Sequence, residues 1–312
     1  MSSEREGVWN SSAEADLLAG RAEGFWNLDY FERVLLPLLD LPPGARVLDV
    51  GAGNGALTFL LARLRPDLEL TGLDLTDALV AAGNEAAATR GLANVRFSQG
   101  DALRLPFADA SFDATVCQTL LVHLPDAAPA VREMSRVLRP RGSFLAAEYH
   151  TLNFELPVDS ATEPLDDVAD TARYAGLVLR GYRQSGQGDL QVGARVPFLA
   201  VEAGLEVVDC RINDRVTHAF PPYRRASDHA SLAELRSWAA LLEDSGYRAW
   251  VEGAVLAGGG TAKDVAGVLG LFSDRVRRGF SRSDYAFLWL INPVLLVTVA
   301  RKLDAVGAPR AV

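Results

Sequence analysis

Three acidic side chains recur at matching places in the first third of the chain, and their types and spacing could do chemistry. Asp49 lies two residues before a glycine-rich turn, Asp74 ends the next apolar run, and Asp101 follows the run after that. A carboxylate at such positions can attract a cation, accept from the hydroxyls of a ribose or accept from the exocyclic amine of an adenine. Taken in order, they predict a ligand that has all three parts.

The glycine-rich turn contains Gly51, Gly53 and Gly55 and directly follows an apolar run. Glycine at these positions permits a tight turn and lets the backbone approach a ligand closely. The turn alone also fits the dinucleotide fingerprint, in which alanine can replace the third glycine, so NAD is an alternative. Asp49 weighs against NAD because its carboxylate would repel the phosphates of a dinucleotide.

Strand-like and helix-like segments alternate from residue 45 to residue 150, and this alternation predicts where the three acidic residues lie in the fold. It indicates a mainly parallel sheet that is covered by helices on both faces. Ligands bind at the carboxyl ends of the strands in such sheets, where the acids are found. The predicted strands are 46–50, 69–74, 94–99, 112–118, 143–148, 205–212 and 287–302.

The stretch from about residue 44 to residue 149 resembles the class I S-adenosylmethionine-dependent methyltransferases. The resemblance is to the small-molecule branch that includes ubiquinone and menaquinone methyltransferases. Its motifs are Val47-Leu48-Asp49-Val50-Gly51-Ala52-Gly53-Asn54-Gly55, Gly72-Leu73-Asp74, Gly100-Asp101-Ala102, Leu105-Pro106-Phe107, Ser111-Phe112-Asp113, Leu120-Leu121-Val122-His123-Leu124 and Glu133-Met134-Ser135-Arg136-Val137-Leu138-Arg139-Pro140.

The resemblance implies an α/β fold with a doubly wound, Rossmann-like, seven-stranded sheet whose last strand is antiparallel. Helical cap insertions would lie over the carboxyl ends of its strands. The predicted parts are an N-terminal helical lid (1–40), a cofactor-binding core (41–150), a cap insertion (151–191), a core helix and strand (192–212), a second helical cap insertion (213–286) and a final strand with a tail (287–312).

The resemblance also assigns residues to S-adenosyl-L-methionine. Asp49, Gly51, Gly53 and Gly55 would surround its methionine part. Gln118, at the end of the fourth predicted strand, would offer its backbone carbonyl to the amine of the cofactor.

The nucleoside part of the cofactor would lie beside the next two strand ends. Asp74 and its neighbour Leu75 would hold the ribose, while Asp101 and Ala102 would frame the adenine. Trp26 and Tyr30 could form a lid over the methionine part, or they could be a packed pair of helices.

Methyl transfer from a sulfonium is an in-line displacement, so it needs alignment more than acid assistance. A hydroxyl or protonated amine acceptor needs a base as well. His123 is the leading candidate for this base, although it could simply close a loop. Glu148 ends the fifth predicted strand and His150 lies two residues further on, and both could also face the acceptor. Tyr149 between them could simply pack, because strand residues alternate faces.

The first cap insertion carries four polar or aromatic side chains that could line a substrate entrance or form a solvated face. They are Tyr174, Arg180, Tyr182 and Arg183.

Composition narrows the class of partner. The net charge is −9 and no run of Lys or Arg stands out, which weighs against nucleic acid and anionic membranes. The apolar segment 285–300 is too short to span a bilayer, and the N-terminus does not resemble a signal peptide, so the expected location is cytoplasmic. Cys117 and Cys210 are predicted to be buried free thiols, and no metal site is expected.

The sequence therefore predicts a methyltransferase that acts on a small molecule of moderate size and partly apolar character, in secondary metabolism. The methyl acceptor could be oxygen, nitrogen or carbon. The alternatives are a methyltransferase with an RNA or protein target, a fold relative that binds the cofactor without methyl transfer, and an NAD-dependent oxidoreductase. The cap helices could equally form the interface of a homodimer.

Overall fold

The computed structural model divides the chain into two compact units. The core unit comprises Met1–His150, Val192–Asp214 and Leu295–Val312, and the helical unit comprises Thr151–Gln191 and Arg215–Val294. The predicted helix before residue 25 and the segment 282–293 lie outside the described residues. The structure describes residues 25–150, 165–214, 222–226, 228–229, 233, 240–281 and 294–304.

The core unit is built on a seven-stranded sheet with the order β3-β2-β1-β4-β5-β7-β6. The first five strands pair in parallel, and β7 lies antiparallel between β5 and β6. This arrangement confirms the predicted fold class. The strands are β1 (Arg46–Val50), β2 (Glu69–Asp74), β3 (Val95–Gln99), β4 (Phe112–Gln118), β5 (Leu138–Tyr149), β6 (Leu205–Ile212) and β7 (Leu295–Lys302).

Helices cover this sheet, and their buried side chains form its core. One cluster joins Leu35 and Leu61 to the strand residues Val47, Leu145 and Val297. The helices of the core unit are α1 (Leu28–Tyr30), a π turn (Phe31–Leu35), α2 (Leu36–Leu38), α3 (Ala56–Leu64), α4 (Asp77–Thr89), a 3₁₀ turn (Leu121–His123), α5 (Ala128–Val137), a second 3₁₀ turn (Val192–Arg195) and α7 (Val196–Glu202).

Two charged residues of α5 hold the loop that carries the Leu105-Pro106-Phe107 motif. The guanidinium of Arg136 donates to the carbonyls of Leu105 (3.1 Å) and Phe107 (2.8 Å). Glu133 accepts from the Leu105 amide at 2.8 Å and also pairs with Arg136. These bonds join two of the motifs found in the sequence, the loop that contains Leu105-Pro106-Phe107 and the motif on α5. The loop follows β3 and Asp101 along the chain.

The helical unit consists of α6 (Leu165–Gln184), α8 (Ser245–Ala257) and α9 (Ala262–Ser281) within the described part of the chain. Glycines bring α6 and α8 into backbone contact. A Cβ on Gly181 would lie 1.7 Å from the Ala254 carbonyl oxygen, so only glycine fits at this crossing. Tyr174, Tyr247, Trp250 and Phe272 line an apolar crevice within this unit.

Two expectations change here. Tyr182 is buried and packs edge-on against Trp250, so it does not belong to a solvated face, whereas Arg180 is exposed and donates to the Gly258 carbonyl. Cys117 is buried as predicted, whereas Cys210 is exposed because β6 is an edge strand.

No described helix is long and apolar enough to cross a membrane. No cluster of metal-ligating side chains occurs among the described residues.

Candidate cofactor site and its surroundings

The glycine-rich turn folds back over the end of β2. The amides of Gly51 and Ala52 both donate to the Leu73 carbonyl, at 2.7 and 2.9 Å. The Gly53 amide donates to Oδ2 of Asp74 at 2.9 Å. Two of the predicted cofactor segments are therefore joined by direct hydrogen bonds, although 21 positions of the sequence separate Gly53 from Asp74.

All three glycines of the turn have left-handed backbone angles, with φ of 69° at Gly51, 55° at Gly53 and 84° at Gly55. A Cβ on Gly51 would lie 2.6 Å from Leu120, and one on Gly55 would meet Phe97 at the same distance. Next to Gly53, by contrast, a Cβ would meet nothing within 4 Å. The turn thus packs tightly at its two ends and is open at its centre, as the close approach of a ligand requires.

Asp49 is buried beneath this turn, with 2% of its surface exposed. Its Oδ2 accepts from the Thr58 hydroxyl on α3 at 2.6 Å. Burial raises the pKa of Asp49 to about 7; the hydrogen bonds from Thr58 oppose this shift and the charge of Asp74 adds to it. A cation near this carboxyl would favour its ionised form, so the site can respond electrostatically to a sulfonium.

Asp74 stands at the rim of the site and already accepts two backbone hydrogen bonds. Thr76 donates to its Oδ1 at 3.0 Å and Gly53 to its Oδ2. A carboxylate has about four lone-pair positions, so these bonds leave acceptor capacity for ribose hydroxyls. The neighbouring Leu75 is 47% exposed, which places apolar surface where a nucleoside would pack.

Asp101 lies beside Asp74 because the Gly100 amide donates to the Asp74 carbonyl at 2.9 Å. The Asp101 side chain is exposed, and its Oδ1 accepts from the Leu103 amide at 2.9 Å. Ala102 is buried behind it. The residues present thus fit the nucleoside half of S-adenosyl-L-methionine in kind and in order along the edge.

Gln118 and Trp26 form a buried pair that no local pattern predicts. The indole Nε1 of Trp26 donates to Oε1 of Gln118 at 2.7 Å, and the indole ring packs edge-on against Phe31. These contacts correspond to the packed arrangement of Trp26 rather than to the lid. The pair also fixes the side chain of Gln118 at the end of β4.

The sequence predicts a cofactor contact for Tyr30, but its hydroxyl donates to the Ile212 carbonyl at 2.9 Å. Ile212 ends β6, which is four strand positions from β1. At ~4.8 Å per strand this separation is about 19 Å. The contact with β6 therefore does not support a cofactor-binding role for Tyr30. Its placement depends on a long-range contact that the spacing of nearby residues does not reveal.

His123 is half-buried at the end of the 3₁₀ turn that follows β4. Burial lowers the pKa of His123 to about 4. The imidazole is therefore neutral at neutral pH, and its low basicity makes it a weak acceptor for a proton.

Glu148 is completely buried and points towards backbone amides. Its Oε1 accepts from Leu120 (2.9 Å) and Leu121 (2.8 Å), and its Oε2 accepts from Val122 (3.2 Å). Burial raises the pKa of Glu148 to about 7, while the amide hydrogen bonds oppose the shift. The expectation that this carboxylate faces an acceptor is not met, since both of its oxygens are engaged with the backbone.

His150 directly follows β5 and is half-buried. Among the described residues, no group lies within hydrogen-bonding distance of its buried Nδ1. Tyr149 packs edge-on against Phe25, in agreement with the expected alternation along the strand. The three consecutive residues thus differ in their contacts. Glu148 is buried and bonded to backbone amides, Tyr149 packs against an aromatic ring, and His150 keeps a nitrogen without a hydrogen-bond partner among the described residues.

Comparison with known proteins agrees with this geometry. Residues 41–189, just under half of the chain, match a family model described as a methyltransferase domain. These residues resemble a methyltransferase domain. This match confirms the resemblance to class I methyltransferases and the choice of S-adenosyl-L-methionine as the cofactor.

Curated relatives cover parts of the domain. YcgJ of Bacillus subtilis (strain 168), an uncharacterized methyltransferase, is 40% identical over 105 residues, which are 34% of this chain and 41% of YcgJ. The ubiquinone/menaquinone biosynthesis C-methyltransferase UbiE of Ectopseudomonas mendocina is 35% identical over 136 residues, 43% of this chain and 51% of UbiE. The chain thus spans about half the length of the curated relatives that it matches.

Solved structures share the fold of this chain. The crystal structure of YcgJ superposes with a TM-score of 0.52 at 21% identity, covering 88% of this chain and 99% of YcgJ. The [4+2]-cyclase SpnF superposes with a TM-score of 0.54 at 19% identity, covering 95% of this chain and 93% of SpnF. At such identities the likeness establishes the fold alone.

Proposed function

We propose that this protein transfers the methyl group of S-adenosyl-L-methionine to a small-molecule acceptor. The observation that carries the proposal is the glycine turn that is open at Gly53 and bonded to Asp74. This combination offers a backbone surface for the methionine part next to a carboxylate for the ribose. The relatives named as quinone methyltransferases support a small organic acceptor.

In this proposal each residue of the site has a defined task. Asp74 and Leu75 hold the ribose, and Asp101 and Ala102 frame the adenine. The bound cofactor supplies an electrophilic methyl group. Asp49 stabilises the positive charge from beneath the turn, because ionised Asp49 is favoured by a nearby cation.

Proton removal from the acceptor is assigned to His150 rather than to His123 or Glu148. His123 is a weak base because its pKa is lowered to about 4, and both oxygens of Glu148 are engaged with amides. His150 retains an unpartnered Nδ1 within the described residues. A carbon or pre-ionised acceptor would place less demand on any of these groups.

The proposed acceptor has a partly apolar character. Relatives named as ubiquinone/menaquinone and demethylmenaquinone methyltransferases support this character. We further propose a cytoplasmic enzyme of secondary metabolism that does not bind nucleic acid, in line with a net charge of −9.

Light scattering across a concentration series tests the homodimer that the cap helices could form.

Two measurements test the proposed function. Titration calorimetry should give a saturable heat with S-adenosyl-L-methionine and none with NAD; binding of NAD alone would favour the oxidoreductase alternative. Incubation with methyl-labelled cofactor and pools of small phenols, quinols and amines should then transfer label to at least one pool. Transfer of label to RNA or protein instead would contradict a small-molecule acceptor and favour the alternative with a macromolecular target.

A second candidate function is catalysis of another reaction on a bound cofactor scaffold. The fold likeness to SpnF, which is named as a [4+2]-cyclase, favours considering it. Tight binding of S-adenosyl-L-methionine without label transfer to any pool is the result that this candidate predicts. Any transfer of label in that experiment argues for the methyltransferase.

A further inference from the structure

Glu148 makes an unusual set of contacts for a residue with no exposed surface. Its carboxylate accepts from three successive amides, those of Leu120, Leu121 and Val122, at 2.8–3.2 Å. The Cys117 thiol also lies 3.7 Å from its Oε1. A single side chain of β5 thus satisfies the first donors of the 3₁₀ turn that follows β4, where no preceding carbonyl can do so.

The segment that these amides belong to begins with backbone strain. Thr119 has a φ of 52°, a left-handed angle that is a genuine outlier for a β-branched residue. Its amide still donates to the Ala147 carbonyl of β5 at 2.9 Å, so the chain leaves the sheet abruptly at this point. Strained turns of this kind persist only where surrounding contacts over-determine them. Glu148 supplies three such contacts.

The same segment touches the glycine turn. A Cβ placed on Gly51 would lie 2.6 Å from Cδ1 and 3.0 Å from Cβ of Leu120, so Leu120 lies against the backbone of Gly51. At the other end of the segment, the His123 amide donates to the Leu120 carbonyl at 3.0 Å. Contacts therefore run without a break from Glu148 through Leu120 to the methionine end of the proposed cofactor site.

We propose that Glu148 is a positioning residue that holds the Thr119–His123 segment against the glycine turn and so fixes the wall beside the transferred methyl group. The inference rests on the proposed function for its catalytic consequence, but not for its structural one. Glu148 acts through Leu120 and the backbone, and it does not itself touch the acceptor.

Glu148→Gln is the test variant because it keeps the shape of the side chain. An amide offers one acceptor oxygen, so its NH₂ group must face at least one of the three backbone donors. Ser143→Ala is the matched control: Ser143 is also buried on β5 and donates one hydrogen bond, to the Leu39 carbonyl at 2.5 Å. It pairs with Ala114 of β4, near the end of that strand opposite to the Thr119–His123 segment. Glu148→Asp, which retains the charge, tests rescue.

Hydrogen exchange provides a readout that does not require activity. In Glu148→Gln the amides of Leu120, Leu121 and Val122 should exchange at least ~10-fold faster than in the native protein and in Ser143→Ala. Glu148→Asp should restore part of the protection. Unchanged exchange of these three amides in Glu148→Gln would overturn the inference whatever the protein catalyses.

Kinetics test the catalytic consequence. A displacement of about 1 Å can cost a hundredfold in rate, so kcat of Glu148→Gln should fall ~10-fold or more below that of Ser143→Ala. The affinity for S-adenosyl-L-methionine should change less than ~3-fold, since the ribose and adenine contacts remain. Parallel loss of affinity and rate would indicate general damage and overturn the positioning role. Failure of the native protein to bind the cofactor would instead reject the proposed function and leave the exchange result standing.

Discussion

Two pairs of carboxylates at the same edge of the sheet are used in opposite ways. The outer pair consists of Asp74, which is half-buried, and Asp101, which is exposed; both accept hydrogen bonds from neighbouring amides and retain acceptor capacity. Asp49 and Glu148 are buried beneath the edge, and burial raises the pKa of each to about 7. The outer pair is suited to bind a ligand, whereas the buried pair is suited to hold the backbone around the site and to respond to the charge of the ligand.

The largest expected effect is on the outer pair. Asp74→Ala removes the proposed acceptor for ribose hydroxyls and also the partner of the Gly53 amide. Hydrogen bonds to a charged group contribute ~1.5–3 kcal/mol each, so cofactor affinity should fall ~100-fold or more in calorimetry. Asp109→Ala, which removes an exposed acid paired with Arg136, is the control and should bind normally. Equal affinities would mean that Asp74 is not part of the site.

The open centre of the glycine turn gives the next prediction. Gly53→Ala and Gly91→Ala both place a Cβ on a left-handed residue with nothing within 4 Å, at φ of 55° and 68°. Each should cost ~1–2 kcal/mol of folding free energy because of the backbone angle alone. Cofactor affinity should drop ~10-fold or more in Gly53→Ala only. A similar loss in Gly91→Ala, which lies after α4, would show that strain and not proximity to a ligand explains the result.

The contrast between the two pairs also marks what sequence can and cannot reveal. Asp74, Asp101 and the glycines follow strand ends directly, so a local pattern and the parallel order of strands suffice to bring them together. The partners of Glu148 depend on the left-handed turn at Thr119, and the bond between Trp26 and Gln118 spans 92 positions. Alternation along β5 shows that Glu148 and Tyr149 face opposite ways, but it cannot show that Glu148 turns to amides instead of substrate.

The buried pair predicts that cofactor binding is linked to protons. In the folded protein the pKa of Asp49 is raised from 3.8 to about 7, so below pH 7 the buried carboxyl is largely protonated. A sulfonium favours the ionised form, and binding should therefore release up to one proton at about pH 6 and strengthen as pH rises towards about 8. Calorimetry in two buffers of different ionisation enthalpy measures the released proton.

Asp49→Asn is the control for this linkage and should abolish the proton release. The groups that face Asp49 are Thr58, Asp74 and the Cys117 thiol. Without ligand the sign is opposite: because the unfolded chain binds fewer protons between about pH 4 and pH 7, the stability contributed by Asp49 should fall as pH rises through that window. Thermal unfolding of the native protein and of Asp49→Asn at pH 5 and pH 7.5 measures this difference in stability. If stability changed equally with pH in both proteins, the raised pKa of Asp49 would be contradicted.

The smallest expected effect concerns His123, which we place in the Thr119–His123 segment held by Glu148 rather than among the acid–base groups. Burial lowers its pKa to about 4, so its ionisation lies below the pH range in which methyl transfer would be assayed. His123→Asn should therefore reduce kcat less than ~10-fold and leave the pH–rate profile unchanged, whereas His150→Asn should reduce kcat more strongly. A larger loss of kcat in His123→Asn than in His150→Asn would reverse the two roles. It would also mean that a residue of the segment held by Glu148 takes part directly in the chemistry. The division between groups that bind the ligand and buried groups that position the site would then not apply where the acceptor binds.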